Sequence, residues 1–265
     1  MSPTERPITP GPSPVTAEDH SLAAALVTEA GRLLTELRVD LQAQGADEKT
    51  LKDQGDQNAH QLLMQRLVDA RPHDAILSEE GQDDLRRLDF ERVWIVDPLD
   101  GTREFGEGRA DWAVHVALAV NGVPIAGAVA LPDRDLTLST AHPPTLAAAA
   151  PDTPRVIVSR SRPPQIALQI AEGLGGSLVE MGSAGAKAMA VVLGDAECYP
   201  HAGGQYEWDS CAPVAVAAAA GLHTSRLDGS QLTYNNEDPY LPDLLICRRE
   251  LAARTMGLIS RFGVS

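Results

Sequence analysis

From Ala17 to Leu41, Leu22, Leu26, Leu33, Leu37 and Leu41 fall mostly four residues apart. Residues at that spacing share one helical face, so the segment is predicted to be an amphipathic helix. A second helix is predicted over 56–69, with Leu62, Leu63, Leu67 and Val68 turned inward and Pro72 stopping it. Ala75-Ile76-Leu77 and Val93-Trp94-Ile95-Val96 are short apolar runs that each lead into acidic residues. They read as buried strands whose C-terminal ends present carboxylates. Val114, Val116, Leu118 and Val120 alternate, Asn121-Gly122 supplies a tight turn, and Val123 to Leu131 returns. This is a hairpin, so the sheet is not purely parallel. Val156-Ile157-Val158 is another strand, entering Ser159-Arg160-Ser161, and Cys198 lies on a strand after Leu193. Helical patterns run over 183–193, closed by Gly194, and over 209–220, closed by Gly221.

The same pattern gives an organisation. Residues 1–16 carry Pro3, Pro7, Pro10, Pro12 and Pro14, which oppose helix and ladder alike, and are expected to form a disordered tail. The stretch from about 133 to 155 is rich in Pro, Ala and Thr and marks the expected seam. It divides an N-terminal α+β half, 17–140, from a C-terminal α/β half, 141–265.

Charge narrows the function. The 265 residues hold 22 Lys+Arg against 37 Asp+Glu, a net charge of -15. A nucleic-acid polymer needs a basic face and is excluded as a partner, whereas a small anion held through metal ions is not. No apolar run approaches the roughly 20 residues that span a bilayer, so no membrane partner is expected. The N-terminus lacks the charged-then-apolar order of a secretory signal, which predicts a cytoplasmic protein. Three scattered cysteines (Cys198, Cys211, Cys247) suit neither a disulfide framework nor a thiolate zinc site. Cys198 and Cys211 read as small core residues, and His115 and His201 as packing or surface residues.

The most informative segment is Asp97-Pro98-Leu99-Asp100-Gly101-Thr102, directly after the Val93–Val96 strand. Asp97 leaves the strand end, Pro98 ends the ladder and brings Asp100 to the same side, and Gly101 lets a phosphate approach its backbone N–H. Thr102 offers a hydroxyl where a helix could begin, and helix N-termini attract anions. A calcium-binding EF-hand loop fails, because with Gly101 at its sixth position the first and third would be Val96 and Pro98. Arg103 and Glu104 read as a local ion pair. Glu79, in Ser78-Glu79-Glu80-Gly81, and Asp209, in Trp208-Asp209-Ser210, lie at two further element ends. Taken singly they are a loop acid and a helix cap. Taken with Asp97 and Asp100 they form an all-oxygen set that selects hard cations, Mg²⁺ before Zn²⁺.

Glu79-Glu80, Asp97-Pro98-Leu99-Asp100-Gly101-Thr102 and Trp208-Asp209, found in that order, resemble the inositol monophosphatase superfamily over about residues 20–250. The resemblance implies a layered α-β-α-β-α sandwich and a lithium-sensitive, Mg²⁺-dependent phosphatase with two or three ions. It implies metal ligation by Glu79, Asp97, the Leu99 carbonyl, Asp100 and Asp209. It also implies that Thr102, with an upstream aspartate, activates a water, Glu79 contributing as a ligand. Asp56 sits at the matching distance, although the family's Val-Thr before it is missing here, and Asp53 is the alternative. Homodimers are common in the family, so a second copy is a partner the resemblance suggests.

Val158-Ser159-Arg160-Ser161, Gly182-Ser183 with Lys187, Glu207-Trp208-Asp209 and Tyr234-Asn235-Asn236 resemble the 3′(2′),5′-bisphosphate nucleotidase branch of sulfate assimilation. That implies hydrolysis of 3′-phosphoadenosine 5′-phosphate to AMP and phosphate. A bisphosphate needs a second anion site, which Ser159, Arg160, Ser161, Ser183 and Lys187 could serve, with solvated surface cations as the alternative for Arg160 and Lys187. Gly101, Thr102 and Asp209 would meet the scissile group, and Glu207 the sugar or base. The rival readings are an inositol monophosphatase or fructose-1,6-bisphosphatase with the same metals, and a silent nucleotide or metal sensor.

Overall fold

The computed structural model of the chain describes residues 15–146 and 149–262. Helices α1 (Ala17–Ala43) and α2 (Glu48–Ala70) come first. Five strands follow: β1 (Ala75–Ser78), β2 (Arg92–Asp100), β3 (Ala113–Val120), β4 (Val123–Leu131) and β5 (Leu136–Ser139). They form one sheet in sequence order, parallel only between β1 and β2. The short helix α3 (Thr102–Gly106) joins β2 to β3. The rest of the chain builds a second mixed sheet from β6 (Arg155–Ser159), β7 (Ser177–Met181), β8 (Cys198–Tyr206), β9 (His223–Ser225) and β10 (Tyr240–Cys247). Its order is β7-β6-β8-β10-β9. Helices α4 (Gln165–Leu174), α5 (Ala184–Leu193), α6 (Glu207–Ala219) and α7 (Arg249–Phe262) complete the fold.

Strand alternation sorts these elements into layers. On β2, Trp94 and Val96 face α1 and α2, while Val93 and Ile95 face α5 and α6. On β10, Leu244 and Ile246 join the α5–α6 side, while Leu245 and Cys247 pack with α4 and α7. A side-chain period of two thus gives each sheet two buried faces. The result is an α-β-α-β-α sandwich in which α5 and α6 fill the middle. The first sheet ends at Ser139 and the second begins at Arg155, yet one apolar cluster takes residues from both.

Several expectations need correction. Helix α2 begins at Glu48, not Asp56, because Asp47 caps it by accepting from Thr50 N at 2.8 Å. The polar run from 48 to 56 hid that turn from a hydrophobic pattern. Val68 is exposed, since the buried stripe of α2 is Leu51, Gly55, Ala59, Leu63 and Leu67. In α1 the fully buried stripe is Ala23, Leu26, Val27, Ala30 and Leu34, leaving Leu22, Leu33 and Leu41 on its partly buried flank. Small residues lie deepest because the helix sits close on the sheet: a Cβ on Gly31 would meet Pro132 at 2.8 Å. Pro98 does not end its ladder, for β2 runs on to Asp100 through a register shift. Asp209 lies in the first turn of α6, whose cap is Tyr206. The tail expected over 1–16 falls, up to residue 14, outside the described residues, and Thr16 caps α1.

Candidate active site

The site gathers where strands end and helices begin between the two sheets. In β2, Asp97 lies opposite His115 and Asp100 opposite Ala113, so three steps on β2 match two on β3. This bulge cancels the alternation that would have sent the two aspartates to opposite faces. The Leu99 N–H donates to Asp97 Oδ1 at 3.1 Å and closes it. In the parallel register of β1 and β2, Ser78 pairs with Val96, and Glu79 N donates to Val96 O at 3.2 Å. Glu79 is thereby delivered beside Asp97, whose carboxyl burial and then the Glu79 charge push upward. Asp209 comes from the first turn of α6, where it accepts from Tyr206 N at 2.6 Å. Oxygens of Asp97, Asp100 and Asp209 all lie within 4.8 Å of one another.

The carboxylates are not electrostatically equal. Burial, then Glu79 and Asp100, push Asp97 well above the usual carboxylate range. Burial and Asp209 raise Glu79 to about 7, and burial and Asp100 raise Asp209 to about 6. Burial would raise Asp100 too, but the His115 contact, the Ser183 hydroxyl and the Lys187 charge hold it at about 2. Geometry gives the reason: Asp100 accepts from Ser183 Oγ at 2.5 Å, Gly185 N at 2.6 Å and Ala184 N at 3.1 Å, all at the start of α5. A cluster in which three acids resist ionisation is short of positive charge. An oxygen-only donor set in that condition fits a hard divalent cation such as Mg²⁺.

Beside the acids, Thr102 Oγ1 lies 3.2 Å from Asp56 Oδ1 and 3.0 Å from the Leu99 carbonyl. Burial and Glu80 raise Asp56 to about 7. Asp53, the alternative, is exposed and engaged with Lys49. Gly101 holds φ 89, and a Cβ there would meet Ser183 Cβ at 3.2 Å and the Asp111 carbonyl at 3.3 Å. A side chain at 101 would therefore be both strained and crowded.

A cavity of about 320 Å³ runs from Asp100, Gly101 and Asp209 to Ser159, Arg160, Ser161, Ser183 and Lys187. Lys187 is buried and its ammonium donates to the Gly182 and Ser183 carbonyls at 3.0 and 2.6 Å. It is not a solvated surface cation. Arg160 is bound to Asp111 and reaches Glu104 at 3.4 Å, so Glu104 is Arg160's partner and Arg103 pairs with Glu107 instead. The Ser183 hydroxyl is spent on Asp100. Glu207 is not brought to this cavity: its carboxylate accepts from Asn235 N, Asn236 N and Asn236 Nδ2, at 2.6, 2.8 and 2.7 Å.

Three groups escaped the sequence reading. His115 is neither surface nor plain packing: its Nε2 lies 3.2 Å from Asp100 Oδ2 and its Nδ1 3.1 Å from the Trp208 carbonyl. Gly185 makes room for it, since a Cβ there would fall 1.9 Å from Nε2. Asp111 anchors Arg160 and accepts from Gly182 N at 2.6 Å. Arg162 lines the cavity without an ion pair among the described residues. Only its position two after Arg160 could have suggested it.

Convergent acids on a five-layer sandwich agree with what sequence comparison finds: a profile of the inositol monophosphatase family matches residues 13–260, and the chain belongs to that family. Within it, the chain is 52% identical over 246 residues to a 3′-phosphoadenosine 5′-phosphate phosphatase of Mycobacterium tuberculosis, covering 88% of this chain and 90% of that one. It is 31% identical to the 3′(2′),5′-bisphosphate nucleotidase CysQ of Escherichia coli, over 69% and 79% of the two chains. Among solved structures, CysQ from Bacteroides thetaiotaomicron superposes with a TM-score of 0.76 at 25% identity, over 88% and 98%. Mycobacterium tuberculosis SuhB superposes at 0.70 and 23% identity, over 93% and 97%, a likeness of fold.

Proposed function

We propose that the protein is a Mg²⁺-dependent phosphatase that hydrolyses 3′-phosphoadenosine 5′-phosphate to AMP and phosphate. The observation that carries this reading is the continuity of two unlike sites. An acid cluster short of positive charge opens into a cavity bordered by Lys187, Arg160 and Arg162. A substrate with two phosphates matches that pairing, and relatives with this activity in their names span nearly the whole chain.

Glu79, Asp97 and the Leu99 carbonyl would hold one ion, and Asp97, Asp100 and Asp209 a second. Bound Mg²⁺ supplies positive charge for the transition state and lowers the pKa of water. Thr102 orients the attacking water through its hydroxyl oxygen, and Asp56 accepts the hydroxyl proton. Burial, then Glu80, holds Asp56 near 7, so the carboxylate form is available at neutral pH. The Gly101 and Thr102 N–H groups face the phosphate oxygens. Arg162, Ser159 and Ser161 hold the second phosphate, with Arg160 fixed behind them by Asp111.

The test is phosphate release from 3′-phosphoadenosine 5′-phosphate, inositol 1-phosphate and fructose 1,6-bisphosphate, each with Mg²⁺ and again with added Li⁺. A clear preference in kcat/KM for the nucleotide, lost with Li⁺, is expected. A preference for either of the others would overturn the substrate, and binding without turnover would overturn the reaction.

A further inference from the structure

Gln205 has no part in the chemistry above, yet its position is unusual. It lies on β8 opposite Leu241 of β10, just past a bulge where Asp243 pairs with Ala202. Gly203 and Gly204 form that bulge at φ 105 and φ 89, and a Cβ on Gly204 would fall 2.5 Å from the Tyr240 hydroxyl. Its strand partner Leu241 packs with Leu244 and Ile246 in the cluster between the sheets, the side on which Tyr199 also lies. Gln205 therefore borders the same cavity as Arg160, Lys187 and Asp209. It is 6% exposed, and both its Nε2 and its Oε1 lack a hydrogen-bond partner among the described residues.

Buried polar atoms are nearly always paired, because burying them unpaired costs free energy. A buried amide with donor and acceptor both open gives up no protein contact when it turns to a ligand. Its chemistry limits what that ligand is. Phosphates are served by the cations of the cavity, whereas a carboxamide matches a neutral edge with one donor and one acceptor. Adenine presents such an edge at N6 and N7, while guanine offers acceptors at both O6 and N7. At the same strand end, Tyr206 stacks on Trp208 with centroids 4.8 Å apart and stays half exposed, an aromatic surface suited to a planar ring.

We infer that Gln205 is a specificity residue that reads the adenine edge of a nucleotide in this cavity. The inference rests on the nucleotide reading above and deepens it. With the full chain and Mg²⁺, calorimetric titration of AMP, GMP and ribose 5-phosphate provides the test. The wild type should bind AMP roughly ten- to a hundredfold tighter than GMP. Gln205→Leu should erase that preference while leaving ribose 5-phosphate affinity, inositol 1-phosphate turnover and the melting temperature as they were, or the last higher. Absence of an AMP preference in the wild type, which needs no variant, would overturn the inference. So would a Gln205→Leu protein that keeps the preference, or one in which every ligand weakens along with the melting temperature. Hydrolysis of the bisphosphate nucleotide without base preference removes the inference but not the function. An AMP preference lost in Gln205→Leu, without hydrolysis, does the reverse.

Discussion

Strand β2 carries a buried charge cluster at each end, and the two are built on opposite principles. At its start, Arg92 donates to Asp74 at 2.9 and 3.0 Å and to Asp19 at 3.1 Å. Arg71 adds a bond to Asp19 at 2.8 Å, and Trp94 Nε1 closes on Asp74 at 2.8 Å. Two acids meet two guanidinium groups. Burial would raise Asp19, but its bonds to Thr16, Arg71 and Arg92 bring it below the usual range. At its far end, Glu79, Asp97, Asp100 and Asp209 face, among the described residues, only the cationic groups of His115 and Lys187, and three of the four are raised. A charge cluster that neutralises itself ties α1 and α2 to the sheet. One that does not is held ready for a cation.

The strongest way to break this comparison is a pair of substitutions. Asp97→Asn should lower kcat by about three orders of magnitude or more, because charge neutralisation in the transition state is lost. Its melting temperature in metal-free buffer should hold or rise, since a carboxyl that burial and its acidic neighbours keep from ionising is replaced by a neutral amide. Arg92→Met should keep kcat per folded molecule and lose about 3–5 kcal/mol of stability, as it leaves Asp74 without a cation and Asp19 with Arg71 alone. Turnover retained in Asp97→Asn, or an Arg92→Met protein that melts like the wild type, would erase the contrast between the two ends.

Next in size is Asp56. Asp56→Asn should cost roughly a hundred- to a thousandfold in kcat, the range of a lost proton acceptor, with half-saturation by Mg²⁺ little changed. Asp53→Asn, altering an exposed pair on the same helix, should leave turnover and melting alike unchanged. Equal losses at both positions would deny Asp56 its role.

The smallest effect sharpens the comparison by titration. At a hundred times its Kd, Mg²⁺ should stabilise the protein by about 2.7 kcal/mol, in the wild type and in Arg92→Met but not in Asp97→Asn. Glu79 and Asp209 have folded pKa values of about 7 and 6 against ordinary values of 4.5 and 3.8. Between those limits the native state holds protons that the unfolded chain has released. Their contribution is therefore present at low pH and lost as pH rises through 6 to 7. Metal-free melts from pH 4.5 to 8 should show that decline, and Mg²⁺ should flatten it. A metal-free curve that climbs instead would mean the acids are already neutralised within the protein.

Much of this site was legible along the chain. Asp97, Asp100 and Thr102 occupy one short segment, and strand patterns ending in acids predicted where Glu79 and the 97–102 turn emerge. Distance-dependent pairings were not legible. His115 meets Asp100 because an antiparallel neighbour happens to stand beside a bulge. Asp111 and Arg160 are 49 residues apart. Ser183 and Glu207 were singled out along the chain as substrate contacts, but their partners decided their use: one carboxylate of the cluster, and one loop at 235–236.

The sequence alone determined which atoms were on offer: hard oxygen donors, a glycine and a hydroxyl beside them, and too few cations to balance them. Local rules of periodicity, turns and caps act over a few residues, so they also set most elements. Tertiary structure decided which acids would share a cavity, which of them would ionise, and which amide would be left without a partner. Those outcomes depend on burial and on through-space charge, and neither exists until α5, α6 and the two sheets have closed around the site.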